Sequence, residues 1–558
     1  MSELTRKEKE IARIMQDPVL WAEYHLGEKP RWYQEQALRH PHNRKVLRWG
    51  RRLGKCIAEG QRLVDAKTGA YIPVEDLYEK GSARTFSLDN QYKIVEEDMF
   101  RVEKNGIKEV FKITLNNGAC VELTGNHPLL TINGWTEVRD LIVGESVATP
   151  VKVPIFGTND VSYTHARMVA YSIFCGKKTN LGSTFEITPK DGKEEMLEVI
   201  TKEAGLKLFP KSQSVHFTLP KDNPYIDLIN EEYIKIPDEV YTYTENKLAA
   251  FLAAVIDAKG YISKVTPGDI GYMGNDEKLV LDLKHLFLRF GIKTNILTKI
   301  RNKGSKKQYT EYKISIVRKE DLDKYFRFIA PYSFRDYSKT IELCKNSKAY
   351  ELSIPKEIHP YIEKKRIEKN LNKIDVVKNT STQRLRPKEV IKLEDFKEIA
   401  IALEDGFLYD LAHSDIAWYQ IKSIESIGEK MTYDVMMPKY HNLLIEDIFV
   451  HNTWTMVAHM LWACHTNIGG AKKTGNTICL VATPYDSQAL NIYKQIIQFI
   501  DKSDIIRSSI VSTTKSPYNV TFANGAEIRL FTTGAKTSSG GASIRGQRAD
   551  YIYLDEMD

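Results

Sequence analysis

The sequence predicts a multidomain chain in which an α/β fold is interrupted by a long insertion of different character. The first 55 residues predict a helix, a turn and a strand at 45–49. After residue 452, helices predicted at 453–465 and 485–500 alternate with apolar strands at 477–482 and 526–531. Residues 56–150 instead contain short alternating runs separated by Gly and Asn, a pattern typical of an all-β unit. Residues 160–340 mix helical patterns at 194–205 and 277–291 with a strand pattern at 311–318, and they predict an α+β unit. Residues 370–392 are polar and predict a linker or long loop, and strand patterns return from 418 to 452.

Length and composition restrict the class of protein. A chain of 558 residues has room for several cores, and no apolar run reaches the ~18 residues of a membrane-spanning helix. The first ten residues, MSELTRKEKE, lack the apolar core of a signal peptide, so we expect a cytoplasmic protein without a membrane partner. Six cysteines without a CxxC pair argue against a disulfide framework and against a zinc site.

The net charge of +7 is unevenly distributed. Residues 281–307 carry eight Lys or Arg against one Asp. Such a cluster can follow the phosphates of a nucleic acid, but charge alone favours a solvated basic face.

The stretch VLRWGRRLGKC, residues 46–56, begins like a phosphate-binding loop and then stops. Lys55 should be followed by Ser or Thr, yet the next residue is Cys56. If residues 56–452 are removed, Lys55 is followed by Thr453, and the order strand, glycine turn, Lys-Thr, helix is restored. The insertion therefore interrupts a P-loop.

The two edges of the insertion carry chemistry of their own. A thiol, Cys56, stands at the first edge, and His451 and Asn452 stand at the second, followed by the hydroxyl of Thr453. These are the groups needed to transfer an acyl chain and to cut a backbone.

Three segments carry a resemblance to a family. CIAEGQRLV, TGNHPLL and YDVMMPKYHNLLIEDIFVHN match the order and spacing of the splicing blocks of inteins, so residues 56–452 resemble an intein. The resemblance implies an all-β, horseshoe-like Hint splicing domain formed by residues 56–155 and 401–452. It also implies self-catalysed excision that needs no cofactor.

The resemblance implies a role for each site residue. Cys56 would attack the Lys55 carbonyl, and Thr453 would then accept the acyl group, while Asn452 would cyclise and release the insertion. The remaining residues would hold, orient or protonate the reacting groups, and they are Thr124, His127, Asp434, His441 and His451.

Residues 156–400 carry a second resemblance. LAAFLAAVIDAKG, with HLFLRFGIKTNI downstream, resembles a LAGLIDADG homing endonuclease, which implies two helices packed through small residues. The family's metal-binding acids are replaced by Lys259 and, in VAYSIFCGKK, by Cys175, neither of which suits Mg²⁺. We therefore expect residues 156–400 to form an endonuclease-like domain with a linker. This domain should bind DNA weakly without cutting it, and Asp257 should have a structural role. An active nuclease that uses other acids is the alternative.

The flanks, residues 1–55 and 453–558, predict an ATPase once they are joined. The loop would supply backbone amides and Lys55 to phosphates, although Trp49 stands where the first glycine of GxxxxGK[ST] belongs. The strand YIYLDEMD ends in Asp555 and Glu556, which suits a Walker B motif. We expect ATP and Mg²⁺ as cofactors, with Thr453 and Asp555 at the metal.

Together with RWYQEQAL, LVATPYDSQA and SIRGQRAD, these motifs resemble the large subunit of a tailed-phage terminase. The resemblance implies ATP-driven packaging of DNA, with the terminase small subunit and the portal as partners, in the cytoplasm of a phage-infected or prophage-carrying cell. It assigns Gln34 to adenine and Arg51 or Arg52 to an arginine finger. The remaining nucleotide-binding positions are Gly50, Gly54, Lys55, Thr453, Asp555 and Glu556. The later ATPase motifs and the nuclease of that family do not occur in these residues, so we do not expect the spliced product alone to package DNA.

Two alternatives remain at this level. One is a helicase-like P-loop ATPase that keeps the insertion permanently as a DNA-binding module, with Cys56, Asn452 and Thr453 as ordinary junction residues. The other is cleavage at one or both junctions without ligation.

Overall fold

The protein is described by a computed structural model. The described residues are 6–26, 38–39, 56–99, 101–179, 182–187, 202, 208–210, 215–219, 223–229, 235–263, 268–303, 308–345, 352–381, 384–437, 439–440, 442–451, 455–468, 475–483, 486–501, 503–515, 517–532 and 548–554. The chain forms two compact units, one made of Met1–Lys55 with Asn452–Asp558 and the other of Cys56–His451. Among the described residues, no helix combines the length and apolar character needed to cross a bilayer.

The first unit begins with two helices where the sequence predicts one, namely α1 (Arg6–Gln16) and α2 (Pro18–Leu26). Asp17 separates them, and its carboxylate accepts a hydrogen bond from the Val19 amide at 2.9 Å, which caps the start of α2. The predicted strand at 45–49 lies outside the described residues.

The second unit begins with the short strands that the alternating runs predict, together with one helix. They are β1 (Ile57–Ala58), β2 (Arg62–Val64), β3 (Tyr71–Pro73), α3 (Val74–Lys80), β4 (Arg84–Leu88), β5 (Ile94–Asp98), β6 (Arg101–Leu115), β7 (Cys120–Thr124), β8 (Pro128–Thr131), β9 (Gly134–Glu137) and β10 (Ser146–Pro150).

Two similar helix-and-sheet layers follow. The first contains α4 (Tyr163–Cys175), β11 (Lys177–Thr179), β12 (Gly182–Ile187), β13 (Leu208–Pro210) and β14 (Val215–Leu219). The second contains α5 (Glu245–Lys259), β15 (Gly260–Ile262), β16 (Ile270–Gly274), α6 (Glu277–Arg289), β17 (Asn295–Arg301), β18 (Tyr309–Ile316), α7 (Lys319–Phe328) and α8 (Ser338–Lys345).

The two layers share one topology. Their antiparallel sheets run in the orders β11-β12-β14-β13 and β15-β16-β18-β17, and the long helices α4 and α5 pack against each other. Small buried residues on α5 allow this close packing, namely Ala249, Ala250, Ala253 and Ala254. The α+β character predicted for 160–340 is thus present, although the helix predicted at 194–205 lies almost entirely outside the described residues.

The prediction of a linker or long loop at 370–392 is confirmed for the described residues of 378–390 but wrong at 373–377 and 391–392, which form a helix and a strand. This stretch belongs to a small helical cluster formed by β19 (Ser353–Ile354), α9 (His359–Glu368), α10 (Lys373–Val377), β20 (Ile391–Lys392), α11 (Leu393–Leu403) and α12 (Gly406–Ala412). A capping box joins Asn372 and Asp375 at the start of α10, and Val376 is buried in the core of the cluster. Few apolar residues suffice because the neighbouring helices supply the rest of the core.

The interpretation of 281–307 as a solvated basic face is also wrong for part of the cluster. Lys284, Arg289 and Lys293 are buried, whereas Lys299 and Lys303 are exposed. The buried cations lie on or just after α6, where they meet carboxylates and backbone carbonyls of neighbouring elements.

The strands β21 (Ile416–Met436), β22 (Asn442–Ile445) and β23 (Ile448–His451) complete the large sheet. Its order is β1-β7-β6-β21-β10-β8-β23-β22, with β9 beside β8, and β1 pairs also with β21. Along β10 and β21, Pro150 lies opposite Ile416, and the Val151 amide donates to the Asp415 carbonyl at 2.9 Å. The chain therefore leaves this sheet after β10 and returns to it at the adjacent position.

The first unit ends in an α/β arrangement, as predicted. It contains α13 (Thr455–Thr466), β24 (Ile478–Thr483), α14 (Asp486–Asp501), α15 (Asp504–Ser508), β25 (Ile510–Lys515), β26 (Tyr518–Phe522), β27 (Glu527–Thr532) and β28 (Tyr551–Leu554). Strand β24 lies between β27 and β28 and pairs in parallel with both, and α13 and α14 pack on this sheet.

Candidate functional site

The candidate site is built around β1, which lies between two strands that are far away in sequence. Ile57 is opposite Leu123 on β7 and opposite Tyr433 on β21. Because the pairings are antiparallel, the residue before Ile57 faces the residues that follow these partners. This register brings Cys56 beside Thr124 and Asp434.

The backbone of Cys56 is held by the predicted Thr-x-x-His segment. The Cys56 amide donates to the Thr124 Oγ1 at 3.1 Å, and the Thr124 amide donates to the Cys56 carbonyl at 3.1 Å. Thr124 Oγ1 itself donates to the Asn126 Oδ1 at 2.7 Å, which leaves a lone pair of the hydroxyl oxygen for the Cys56 amide. The nitrogen of the Lys55–Cys56 peptide bond is thus fixed by a side-chain oxygen.

His127 contacts the carbonyl group of the same residue. Its Nδ1 lies 3.3 Å from the Cys56 carbonyl oxygen, and the side chain is buried. A turn fixes its backbone, because the His127 amide donates to the Thr124 carbonyl at 2.9 Å. The imidazole therefore lies within hydrogen-bonding distance of the nucleophile's own residue.

The thiol of Cys56 is fully buried, and polar side chains surround it. Asn105 Nδ2 lies 3.1 Å and Lys108 Nζ 3.5 Å from the sulfur. Burial and the negative charge of Asp434 raise the pKa of Cys56 to about 11, although Lys108 and a hydrogen bond with Thr432 act in the opposite direction. At neutral pH the sulfur is therefore a protonated thiol, and its attack requires loss of that proton.

Sequence reasoning missed Asn105, Lys108 and Thr432. They lie on the two longest strands of the sheet, β6 and β21, whose mutual pairing no local pattern reveals. One signal was present: Gly106 interrupts β6 with a φ of 79°, and its carbonyl accepts a hydrogen bond from Thr432 Oγ1 at 2.8 Å. A glycine inside a strand marks a bulge of this kind.

The hairpin formed by β22 and β23 brings the C-terminal end of the unit to the site. Val450 is opposite Leu129 on β8, which starts directly after His127. The backbone of His451, the last residue of β23, is thereby brought to the same edge of the sheet. The side chain of His451, and all of His441, Asn452 and Thr453, lie outside the described residues.

The sequence was compared with known proteins. The model of a family described as "Intein splicing domain" matches residues 63–452, which is more than half of the chain. The chain belongs to the intein splicing domain family.

Several curated proteins are similar to this chain. The replicative DNA helicase DnaB of Nostoc sp. is 23% identical over 490 residues, which cover 81% of this chain and 54% of that protein. DnaB of Rhodothermus marinus is 24% identical over 441 residues, 71% of this chain and 46% of that protein. The chain spans about half the length of the curated relatives that it matches. The crystal structure of a DnaB intein from Synechocystis sp. PCC 6803 shares 27% identity, covering 17% of this chain and 68% of that chain with a TM-score of 0.17.

The two positions that the endonuclease resemblance assigned to metal-binding acids lie at the ends of two packed helices. Cys175 ends α4 and Lys259 ends α5. They are neighbours: burial raises the pKa of the Cys175 thiol to about 12, while the charge of Lys259 acts to lower it. Among the described residues, no group of three or more His, Cys, Asp or Glu side chains could hold a metal ion.

Asp257 near the end of α5 ties that helix to the loop before α8. Its Oδ1 accepts from Ser333 Oγ at 2.5 Å, and its Oδ2 accepts from the Phe334 amide at 2.9 Å. Burial raises the pKa of Asp257 to about 6, although these hydrogen bonds lower it. The carboxylate of Asp257 thus has a structural role, since it joins the end of α5 to this loop.

The residues predicted to bind nucleotide cannot be compared with the structure. Gln34, Gly50, Arg51, Arg52, Gly54, Lys55, Thr453, Asp555 and Glu556 all lie outside the described residues.

We expect Lys108→Met to slow the attack of Cys56. Loss of the cation 3.5 Å from the sulfur raises the pKa of the thiol further, so the reactive thiolate becomes about tenfold rarer at neutral pH. The measurement is thiol-induced cleavage at the first junction in an Asn452→Ala chain, between pH 6 and pH 9. Because this range lies below a pKa of about 11, the rate should rise with pH in both chains.

Lys104→Met is the matched control, since Lys104 is an exposed lysine on the same strand. A Lys108→Met chain that reacts as fast as this control would show that the lysine does not tune the thiol.

Proposed function

We propose that the chain is a splicing precursor that excises residues 56–452 and joins Lys55 to Thr453. The observation that carries the proposal is the hold on Cys56, in which the nitrogen of the first junction donates to Thr124 Oγ1 at 3.1 Å and the buried thiol lies in the same pocket. A residue fixed by both its backbone and its side chain is arranged for a reaction at its own amide bond.

In the first step, the sulfur of Cys56 attacks the carbonyl carbon of Lys55. The carbon–sulfur bond of a thioester forms, the bond to the Cys56 nitrogen breaks, and the thiol proton ends on that nitrogen. Thr124 positions the nitrogen, and His127 is assigned to deliver the proton. Asp434, whose charge already acts on the thiol, is assigned to orient it and to accept its proton in transit.

In the later steps, the Thr453 hydroxyl attacks the thioester, which forms an ester and restores the Cys56 thiol. The side-chain nitrogen of Asn452 then attacks its own carbonyl carbon. A succinimide forms, the bond to Thr453 breaks, and the proton passes to the freed amine with the help of His441 and His451. That amine finally attacks the ester, which gives the Lys55–Thr453 amide and frees the hydroxyl.

This proposal divides the insertion into three parts. Residues 56–155 and 401–452 form the splicing domain, and residues 156–400 form the endonuclease-like domain with its linker. Residues 1–55 and 453–558 are the parts of the host.

Splicing can be detected by the masses of its two products, the excised piece and the ligated product. The 64.0 kDa chain should give an excised piece of about 46 kDa and a ligated product of about 18 kDa, in proportion to their lengths. Intact mass and a denaturing gel of the unmodified chain detect both products. The double variant Cys56→Ala, Asn452→Ala should remain whole, because both the first nucleophile and the cyclising amide are lost.

An unmodified chain that stays at 64.0 kDa under reducing conditions would favour a permanent insertion in a helicase-like ATPase. Two flanking fragments without a joined product would favour cleavage without ligation.

The endonuclease-like domain is proposed to be a LAGLIDADG domain that no longer cuts DNA. The repeated helix-and-sheet topology and the alanines of α5 support the relationship, while Lys259 and Cys175 at the helix ends argue against a metal site. An ammonium group repels a divalent cation, and a thiol is a poor ligand for Mg²⁺. Weak binding of DNA through exposed lysines such as Lys299 and Lys303 is retained in this proposal.

We expect no specific cutting of DNA that carries the uninterrupted host junction, with either Mg²⁺ or Mn²⁺. A nicking assay on a supercoiled plasmid measures this, and the same plasmid with a scrambled junction is the control. Cutting confined to the intact junction would mean that other acids bind the metal.

The host is proposed to be a P-loop ATPase of the terminase large-subunit type, with a helicase as the alternative. The motifs of the flanks support the terminase, with ATP and Mg²⁺ held by Lys55, Thr453 and Asp555 and with DNA, a small subunit and a portal as partners. The curated relatives include proteins named DnaB and RecA. The match to DnaB of Nostoc sp. covers 81% of the chain, more than the insertion of 397 of 558 residues, so it extends into the flanks and supports the helicase alternative.

If splicing completes the P-loop, nucleotide should bind only after ligation. We expect a fluorescent ATP analogue to bind the joined product, expressed directly without residues 56–452, and to bind the Cys56→Ala, Asn452→Ala precursor far more weakly. Lys55→Ala in the joined product is the control for binding at the P-loop. Equal binding by precursor and joined product would contradict a role for splicing in activation.

A further inference from the structure

We propose that Glu446 and Asp447 are positioning residues for the cyclisation of Asn452, because helix α6 of the endonuclease-like layer holds the turn that they form. The turn joins β22 to β23, the hairpin that ends at His451. The inference rests on the proposed function, since it assigns a role within the second cleavage.

The residues of this turn are unusual for their conformation. Glu446 and Asp447 have φ values of 43° and 61°, in the left-handed region. A two-residue hairpin turn with both φ positive is normally made by Asn-Gly or a similar pair, because a larger side chain is strained there. Glutamate in particular has no local reason to occupy this position, which points to a use for its carboxylate.

Glu446 is bound by a buried arginine. Arg62 Nε donates to Glu446 Oε1 at 3.0 Å and Arg62 Nη2 to Oε2 at 3.2 Å, in the two-pronged geometry that suits a carboxylate. Tyr71 donates to Oε2 at 2.8 Å. Arg62 also pairs with Asp282 of α6, with 2.6 Å between Nη1 and Oδ1, and so connects the turn to that helix.

Asp447 is bound by α6 directly. His285 Nδ1 lies 2.8 Å from Asp447 Oδ1, and Arg289 Nε donates to His285 Nε2 at 3.1 Å. Because Nε2 accepts from the guanidinium group, the ring proton is on Nδ1 and is donated to Asp447. Arg289 is itself fixed, since it donates to the carbonyls of Tyr241 and Gly69 at 2.5 Å each.

The side chains of this network are buried, so water does not replace them as hydrogen-bonding partners. Asp282, His285 and Arg289 are at most 1% exposed, and Asp447 is 6% exposed. Burial alone would raise the pKa of Asp447, but His285, Lys284 and Arg289 together hold it below its usual value. A charged group placed this way is held firmly, because moving it leaves an unpaired charge in the interior.

The position of the turn bears on the splicing site through the hairpin. The strands β22 and β23 are paired along their whole length, from Ile445 opposite Ile448 to Asn442 opposite His451. Four residues of strand span about 13 Å, so a shift of the turn changes where the His451 end of the hairpin points. Asn442 supports that end, where it exchanges hydrogen bonds with the backbone of Leu88.

The endonuclease-like layer therefore contributes to splicing, because its helix α6 holds the turn between β22 and β23. The deletion of residues 156–400 would remove Asp282, His285 and Arg289 and would leave Asp447 and Arg62 without their partners on α6. On this inference the degenerate domain persists in part as a support for the second cleavage.

The test measures the two cleavages separately, each in a chain that carries a substitution blocking the other cleavage. In a Cys56→Ala chain, only cyclisation of Asn452 proceeds, and it appears as cleavage at the second junction. In an Asn452→Ala chain, only the first step proceeds, and it appears as thiol-induced cleavage at the first junction.

The decisive variant is Glu446→Asn with Asp447→Gly, which installs the preferred turn and removes both carboxylates. We expect second-junction cleavage to fall by about tenfold or more and first-junction cleavage to change by less than about twofold, because small misplacements of reacting groups have large effects on rate. Asp447→Asn is the matched control. It keeps the acceptor for His285 and suits the left-handed conformation, so it should cleave at nearly the parental rate.

Each other outcome overturns the inference. Unchanged second-junction cleavage in the double variant would mean that the apolar contacts of the hairpin suffice. A parallel loss at both junctions would mean a general role in stability. If the double variant does not fold, as judged by circular dichroism, Asp447→Gly is compared with Asp447→Asn, and equal rates overturn the inference. Failure of the parental chains to cleave at all would instead contradict the proposed function.

Discussion

The pairing of β1 with both β7 and β21 is the constraint on which the site depends. β1 has only two residues, yet its register places Cys56 between a segment about 70 residues downstream and a strand that lies beyond residues 156–400. The amide, carbonyl and thiol of Cys56 each find partners only because this sheet closes on itself. The reactivity of the thiol follows from the same closure, since burial raises its pKa and the strands supply the lysine that opposes this effect.

Local patterns predicted those elements whose partners are nearby in the chain. The helix at 277–289 and the strands around 309–316 and 478–483 follow directly from periodicity and flanking turns. Prediction failed where long-range packing decides the outcome. Residues 370–392 have too few apolar positions to indicate a core, but Val376 and Ile391 insert into one built by other helices. The cations of α6 were interpreted as solvated because their buried partners lie far away in sequence.

The candidate site shows the same division. Cys56, Thr124, His127 and Asp434 could be chosen from the sequence, because residue type and order carry the resemblance to the family. Asn105 and Lys108 could not, since their approach to the sulfur depends on how β6 bends at Gly106. The buried network around Asp447 was equally invisible, because it joins three segments that have no common motif.

The adjacency of Pro150 and Ile416 has a consequence for how such a chain could be assembled. The two residues face each other on neighbouring strands, so everything between them occupies the place of a hairpin loop. The entropic cost of closing a loop grows only slowly with its length, so a long insertion destabilises the sheet little. The strand pairs on either side keep their register. A complete folded module could therefore have been acquired here in a single recombination event without disturbing the sheet, and its contacts with the hairpin of β22 and β23 could have accumulated afterwards.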